Sequence, residues 1–235
     1  MRLIASTFGF FALTTIFLSE AAVHGFHAFR QTAPSQWDPF KPLNLKAPST
    51  FVQRWKVSWA QQDGALCRAA IKTAGLSAQW RKDQIRNENC ALIDTVALRK
   101  LAGMSLKRVN TRCGVALSLY LWERDVVQPA AQKHFGEPVS KLLHFGSYSC
   151  RRIKGLWRWS QHARANAVDI SGFRLKSGKQ ISVLFDWPKS SAPAQFLREV
   201  RRGACDHFSM VLGPDYNEAH KDHFHLDNGF WSGCR

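Results

Sequence analysis

The amino-acid sequence predicts an α+β fold in which a helical N-terminal part precedes a small antiparallel sheet, stapled by disulfides. Apolar residues recur at helical spacing in the first half of the chain. Strand-like runs separated by turn residues fill the second half, and six cysteines are spread over the body. With 235 residues, 45% of them hydrophobic, the chain can bury one good core.

The first 22 residues have the layout of an export signal. Met1-Arg2 gives a positive start, 3–18 form an uncharged, mostly apolar run, and small residues follow. That run is shorter than the roughly 20 residues that span a membrane. The segment is either a cleaved signal peptide or a retained signal anchor, and the sequence leaves this open. Both alternatives place the body in the periplasm or elsewhere in the cell envelope.

Two further regions follow the signal. Residues 23–50 contain four prolines within "QTAPSQWDPFKPLNLKAPST" and little helical period, which predicts an extended linker. Residues 51–235 are predicted to form a single domain.

The first half of that domain is predicted to be mainly helical. The run from Phe51 ends on Gly75, a residue type that commonly follows a helix. Residues 76–112 are mixed, with a short strand at "ALIDTVAL". Residues 114–135 carry the strongest helical period, and Pro129 should break or restart that helix.

The second half is predicted to supply the sheet. Strand-like runs are "KLLHFGSYSC", "ANAVDISGFRL", "KQISVLFDW", "HFSMVLG" and "HFHLD". A hairpin loop is expected around Ser177-Gly178, and Asp186-Trp187 are expected to close a hairpin. A helix is expected from Ser191 to Ala204, with Ser191 as N-cap and Gly203 marking its end.

The cysteine content and the net charge indicate the redox compartment of the protein and the charge of its binding partner. An even number of cysteines without a C-x-x-C pair predicts three disulfides in an oxidising compartment, with 15 pairings possible; these cysteines are Cys67, Cys90, Cys113, Cys150, Cys205 and Cys234. The net charge of +16 indicates an anionic partner, such as cell-wall polymer or a lipid headgroup surface. Because the chain carries an export signal and no nucleic-acid-binding motif, no nucleic-acid partner is expected. We expect a monomer.

Two histidine-containing segments predict a metal site. His162 and Asp169 lie seven apart around small residues, in a helix or in a loop running into a strand. In the segment "NEAHKDHFHLD", His223 and His225 would share one face of a regular strand. His162, Asp169 and His225 then form a ligand set of two imidazoles and a carboxylate, which is typical of zinc with an open fourth position.

These two segments also carry a resemblance to known families. The pattern from Ser160 to Asp169 resembles the S-x-H-x-x-G-x-A-x-D motif of the lysostaphin / D-Ala-D-Ala metallopeptidase group, and "HFH" at 223–225 resembles its H-x-H. The triple of His220, His223 and His225 is similar to the spacing in penicillin-insensitive murein endopeptidases. The resemblance implies a zinc-dependent peptidase acting on the peptide stems or cross-links of peptidoglycan, at an amide next to a D-amino acid.

The same resemblance implies roles for individual residues. His162, Asp169 and His225 would be the zinc ligands, and His220 would orient substrate or water. Asp222 and His223 are both candidates for the general base, and the sequence does not choose between them. Arg151, in "GSYSCR", would stabilise an oxyanion or hold a substrate carboxylate.

One position departs from the peptidase motif. Position 165 is Ala where the group usually has Gly, and Ala is costly there if the backbone requires a positive φ.

A second family covers more of the chain. Residues from about Asn44 to Arg235 resemble the bacterial extensin-like C-terminal family. Plant extensins carry Ser-Pro repeats, and this sequence has none, so the family's title is no guide to function. The competing interpretation is a non-catalytic envelope protein that binds peptidoglycan or another anionic polymer through its basic surface.

The remaining polar residues have simpler interpretations. His144 and His207 are expected to be structural. Asp227 either bonds the second ring nitrogen of a metal ligand or stabilises a turn. The segment "CRRIKGLWRW" is either a solvated basic loop or a surface that grips glycan or peptide by stacking and charge.

Overall fold

The computed structural model describes residues 22–235 and has a helical layer packed on one large sheet. The predicted signal segment lies outside the described residues except for position 22. Within the described range the helices are α1 (22–32), α2 (Phe51–Gln62), α3 (Gly64–Ala74), α4 (Cys113–Trp122), α5 (Gln128–Phe135), α6 (Val183–Asp186) and α7 (Ala192–Ala204). None of these helices is both long and apolar enough to cross a membrane.

The strands divide into one nine-stranded sheet and a separate two-stranded pair. They are β1 (Ala78–Trp80), β2 (Gln84–Asn87), β3 (Cys90–Leu92), β4 (Thr95–Lys100), β5 (Ser105–Arg112), β6 (Val139–Gly146), β7 (Ala167–Leu175), β8 (Gln180–Ser182), β9 (Met210–Leu212), β10 (Phe224–Asp227) and β11 (Gly233–Cys234). The main sheet has the order β1-β4-β5-β6-β7-β10-β9-β11, with β8 also paired to β7. β2 and β3 pair only with each other.

The predicted α+β class is confirmed, and the sheet is larger than expected. Most neighbours are antiparallel, but β5 runs parallel to β6 and β9 parallel to β11. The β5–β6 pair is parallel because α4 and α5 carry the chain between these strands. The strands β1, β4 and β5 come from 76–112, so the half predicted to be mainly helical also contributes to the sheet.

Helix α4 is the centre of the core. All ten of its residues are buried, so it is apolar on every side rather than amphipathic. It contacts α2 and α3 on one side and β4 and β5 on the other. Trp122 at its end packs against Phe173 of β7 and donates its indole N–H to the Val200 carbonyl at 2.9 Å.

The turn after α4 explains how the chain passes Pro129. Residues Glu123–Val127 form a π-helical turn, and α5 begins with Pro129 in its first turn. A proline there lacks only an N–H that a helix start leaves unpaired. The chain is helical without a gap from Cys113 to Phe135, so Pro129 does not break the helix, and the π-helical turn precedes it.

Several local expectations differ from the structure. Residues 22–32 are helical where an extended linker was expected, and Leu45 further along that segment is buried in the core. The run predicted as a strand from Lys179 to Trp187 is a strand only over β8, and Asp186 belongs to α6. Helix α7, by contrast, ends at Ala204 as expected, with Ser191 at the N-cap position and Gly203 in the last turn. A Cβ at Gly203 would meet Val126 Cγ1 at 2.4 Å, so close packing requires this glycine.

Three disulfides form, as expected, and they join distant elements. Cys67–Cys113 links α3 to α4, Cys90–Cys150 links β3 to the segment after β6, and Cys205–Cys234 links the end of α7 to β11. Because such bonds persist in oxidising compartments, they indicate an exported protein.

Candidate metal centre

Three chain segments bring His162, Asp169 and His225 to one point. Asp169 lies on β7 and His225 on β10, directly opposite each other in the antiparallel register. Opposite residues project on the same face of a sheet, so these side chains are neighbours. His162 lies just before β7, in the 3₁₀ turn Gln161–Arg164, and folds back over Asp169.

Small residues allow that turn to pack tightly. Ala163, Ala165 and Ala167 are fully buried. Ala165 has φ +50°, a left-handed conformation that lets the chain reverse direction into β7. The sequence therefore has Ala at a position where glycine would be unstrained. Ser160 caps the turn and accepts a hydrogen bond from the His162 N–H at 3.3 Å.

The three candidate ligand atoms form a nearly equilateral triangle. His162 Nε2, Asp169 Oδ1 and His225 Nδ1 are 3.1 Å from one another along each edge. In a tetrahedral zinc site with bonds of about 2.0–2.1 Å, two ligand atoms lie about 3.3–3.4 Å apart. The observed spacing fits that donor set closely. His162 is buried, and the side chains of Asp169 and His225 are 15% and 12% exposed.

Each imidazole has a hydrogen-bond partner on its outer nitrogen, the one that faces away from the triangle, and this partner fixes the orientation of the ring. His162 Nδ1 lies 2.7 Å from the Ser147 carbonyl, and His225 Nε2 lies 2.9 Å from Asp227 Oδ2. Both partners can only accept, so these outer nitrogens carry the protons. The inner nitrogens of the neutral rings are then bare lone pairs. Two lone pairs and a carboxylate oxygen at 3.1 Å repel one another unless a proton or a cation lies among them.

The close approach of these side chains also shifts the pKa values of Asp169 and His225. Burial raises the pKa of Asp169, but hydrogen bonds to His162 and His225 outweigh it and hold the pKa well below its usual range. Burial lowers the pKa of His225, but hydrogen bonds to Asp169 and Asp227 outweigh it and raise the pKa to about 9. Asp169 and His225 therefore each favour the charged form of the other.

Asp222 and His223 form a second pair beside the triangle. The strand β10 begins only at Phe224, so both residues lie in the turn before it and not on the strand. Asp222 Oδ1 accepts a hydrogen bond from His223 Nδ1 at 2.7 Å. His223 Nε2 consequently faces the triangle, 3.6 Å from Asp169 Oδ1. His223 therefore does not lie on the regular strand that was expected to hold it together with His225.

His220 and Arg151 border the same group. The His220 ring centroid lies 5.3 Å from that of His223 and 5.9 Å from that of His225. Burial, together with the repulsion from His223, His225 and Arg151, lowers the pKa of His220 to about 4 against the opposing effect of Asp169. Arg151 is exposed to solvent. The contacts above thus link six of the seven sequence-predicted site residues, and Arg151 is connected to them by its electrostatic effect on His220.

Other contacts at the site have weak or no sequence signals. Phe145 packs edge-on against His223 at 5.8 Å, and Tyr216 packs against His220 at 5.5 Å. Asn217 Oδ1 lies 2.7 Å from His220 Nδ1. The Ser147 carbonyl is a backbone group, so no residue type could have indicated it. Asp227 does bond the second nitrogen of His225, which is one of the two roles expected of it.

The other histidines considered make none of the contacts of this group, although His144 lies on β6 opposite Ile170, the neighbour of Asp169. His144 Nε2 bonds the Lys107 carbonyl at 2.8 Å. His207 lines a cavity of about 460 Å³ between α2, the segment 43–49 and the turn after α7. None of the seven site residues lines that cavity.

The comparison with known proteins gives a family but no characterised relative. No curated protein and no solved structure matches the chain. Residues 65–235 match the family described as "Extensin-like protein C-terminus". The match begins within α3 and includes all the strands and the whole candidate metal centre. Because it spans well over half of the sequence, this protein belongs to the extensin-like C-terminus family.

Proposed function

We propose that this protein is a zinc-dependent peptidase of the bacterial cell envelope. Its substrate would be the peptide stems or cross-links of peptidoglycan, cut at an amide next to a D-amino acid by endopeptidase or carboxypeptidase action. The observation that carries the proposal is the triangle of His162 Nε2, Asp169 Oδ1 and His225 Nδ1, with both imidazoles fixed from outside. The motif resemblance to the lysostaphin / D-Ala-D-Ala metallopeptidase group supplies the substrate class.

The donor set suits zinc because two neutral imidazoles and one carboxylate leave a fourth position for substrate or water. Zinc bound there would polarise a carbonyl and activate water for attack. The Ser147 carbonyl and Asp227 would keep the outer nitrogens of His162 and His225 protonated, which presents the inner lone pairs to the metal.

His223 is the proposed proton carrier. In this proposal its Nε2 takes a proton from the attacking water and returns it to the leaving amine nitrogen. Asp222 positions the ring through the bond to Nδ1 and stabilises the imidazolium that forms. Arg151 would hold a substrate carboxylate or stabilise the oxyanion, and His220 would orient the substrate.

The direct test is digestion of purified muropeptides, both cross-linked and pentapeptide forms, by zinc-loaded protein. We expect new amine ends to appear with the wild type and with His27→Ala, an exposed histidine on α1. His162→Ala should abolish cleavage, and His223→Ala should slow it by about 10²–10⁴-fold. Asp222→Asn should reduce the rate less than His223→Ala does.

The outcome that overturns catalysis is an absence of products from every substrate by protein that contains zinc. That result would favour the non-catalytic alternative, an envelope protein that binds an anionic polymer. The observation in its favour is the net charge of +16. Both proposed functions require an exported protein of the periplasm or cell envelope.

A further inference from the structure

Two loops next to the metal centre expose an unusual amount of aromatic surface. The loop 151–159 carries Trp157, whose exposed fraction is 88%. The loop 228–232 carries Phe230 and Trp231, which are 90% and 60% exposed. Large aromatic side chains are normally buried on folding, and clustered exposed ones mark interaction sites.

Arginine side chains join the two loops into one surface. The Arg152 guanidinium lies 5.4 Å from the Trp157 ring centroid and 5.0 Å from that of Trp159. The Arg158 guanidinium lies 4.8 Å from the ring of Trp231, which connects the first loop to the second. We call this surface the aromatic–basic platform; it consists of Arg152, Lys154, Trp157, Arg158, Phe230 and Trp231.

The platform is strongly and uniformly positive. No acidic residue occurs between Glu137 and Asp169 in the sequence. Its cations, Arg152, Lys154 and Arg158, are exposed, and none is in an ion pair with any residue of 22–235. The binding partner that complements this surface is negatively charged.

The platform is attached directly to the metal centre. The Arg151 carbonyl accepts a hydrogen bond from the Ser160 N–H at 3.2 Å, two residues before His162. Asp227, which holds His225, also accepts a hydrogen bond from the Gly229 N–H at 2.7 Å, where the second loop begins. The Cys90–Cys150 disulfide fixes the other end of the first loop. A polymer lying on the platform would therefore run past the metal centre.

We propose that the aromatic–basic platform binds the glycan strand of peptidoglycan. This inference rests on the proposed function and adds a site for the sugar chain to the site for the peptide. Sugar rings offer flat C–H faces that stack on exposed aromatic rings, while the carboxylates of the attached peptide stems pair with the surrounding guanidinium and ammonium groups.

A membrane surface fits the platform less well than a glycan. Insertion into lipid needs aromatic tips that extend beyond the charged groups. Here Arg152 and Arg158 lie against the faces of the tryptophan rings. Burying those rings among acyl chains would carry the guanidinium groups into hydrocarbon, which is costly. A carbohydrate polymer can contact the aromatic rings and the charged groups simultaneously, while the charged groups stay in water.

The test is co-sedimentation with purified peptidoglycan sacculi, compared with binding to vesicles containing phosphatidylglycerol. We expect the wild type to bind sacculi in a salt-sensitive way and to bind vesicles weakly. The variant W157A/F230A/W231A should bind sacculi about tenfold more weakly or worse, with unchanged zinc content. The variant K154E/R158E should also lose binding. The matched control W55A/W59A removes two exposed tryptophans of α2 and should bind normally.

Equal binding of sacculi by the wild type and by W157A/F230A/W231A would contradict the claim that the platform binds the glycan strand. Wild-type binding to vesicles but not to sacculi would overturn it as well, in favour of a lipid surface. His27→Ala should bind sacculi as the wild type does, because this exposed histidine of α1 belongs neither to the platform nor to the metal centre. If zinc-loaded wild type binds sacculi through the platform but releases no fragments, the peptidase proposal fails while the platform stands.

Discussion

At the scale of single residues, the candidate metal centre depends on the groups behind its ligands. Asp227 fixes the ring of His225 from its outer nitrogen and so presents the inner lone pair of that ring. The same carboxylate bonds the Gly229 N–H through its other oxygen. One side chain thus orients a ligand and begins the neighbouring loop.

The first prediction concerns this carboxylate. Asp227→Asn should weaken zinc binding by about 10–100-fold, because an amide orients the imidazole less firmly and supplies no negative charge. The measurement is a competition titration against a chromophoric chelator. Asp206→Asn changes an exposed carboxylate and should leave the affinity unchanged. Equal affinities for Asp227→Asn and wild type would contradict this role for Asp227.

The second prediction concerns the positive φ of Ala165. Glycine relieves left-handed strain of about 1–2 kcal/mol, and this offsets the loss of the buried methyl group. Ala165→Gly should therefore change the free energy of unfolding by less than about 1 kcal/mol. Ala167→Gly, at an equally buried position on β7, should cost clearly more. Denaturant titration distinguishes the two, and equal losses would show that Ala165 is unstrained.

Residue types and their spacing were sufficient to predict that His162, Asp169 and His225 would converge. They were not sufficient for Asp222 and His223, because the relation between these two depends on where β10 begins. A start at Phe224 leaves both in a turn, where the carboxylate can reach the ring of its neighbour. The sequence left the general base open between Asp222 and His223; this contact is the basis for proposing His223 as the base and Asp222 as the group that positions its ring.

At the scale of elements, the π-helical turn after α4 holds a buried charge. Glu123 is fully buried, and its carboxylate accepts hydrogen bonds from the N–H groups of 102–104 at 2.7–2.8 Å. Those residues form the connection between β4 and β5. The carboxylate therefore connects the helical layer to the β4–β5 hairpin of the sheet.

The third prediction follows from that connection. Glu123→Ala would leave three backbone donors without partners, so it should lower the free energy of unfolding by about 3 kcal/mol or more. The exposed Glu88→Ala is the matched control and should have little effect. Thermal and denaturant unfolding measure both variants. A loss below about 1 kcal/mol for Glu123→Ala would show that water replaces the carboxylate.

The fourth prediction concerns pH and the strand β6. Burial lowers the pKa of His144, whose Nδ1 has no hydrogen-bond partner in the described part of the chain. The unfolded chain therefore binds a proton near pH 6.5 that the folded chain binds only at lower pH. Stability should fall as the pH drops below about 6.5. His144→Gln should make this decline shallower, in denaturant titrations from about pH 7 to pH 5 with a chelator present. An unchanged slope would contradict the assignment.

Element predictions succeeded where periodicity and turn chemistry agreed. Gly75 ends α3 in a left-handed conformation, and the hairpin at Ser177-Gly178 forms between β7 and β8. The helix predicted to end at Ala204 also forms, but the sequence did not show that its Gly203 is required by close packing against Val126. The burial of α4 on all sides could not be predicted, since it depends on helices and strands distant in sequence.

At the scale of the whole molecule, distant segments combine into one arrangement around the candidate metal centre. The nine-stranded sheet places β7 beside β10, and the Cys90–Cys150 bond fixes the loop that leads toward His162. The sequence predicted three disulfides but not their pairing, because the pairing depends on the tertiary fold. The aromatic–basic platform, which combines exposed aromatic side chains with unpaired positive charges, lies beside the same centre.

The most direct test of the account is the zinc content of the purified protein. After incubation with zinc and removal of unbound metal, elemental analysis should find one zinc ion per chain in the wild type and in the His27→Ala control. His162→Ala and Asp169→Ala should retain almost none while keeping the wild-type circular dichroism spectrum. Wild type without zinc, or His162→Ala with a full complement, would contradict the claim that His162, Asp169 and His225 hold a metal.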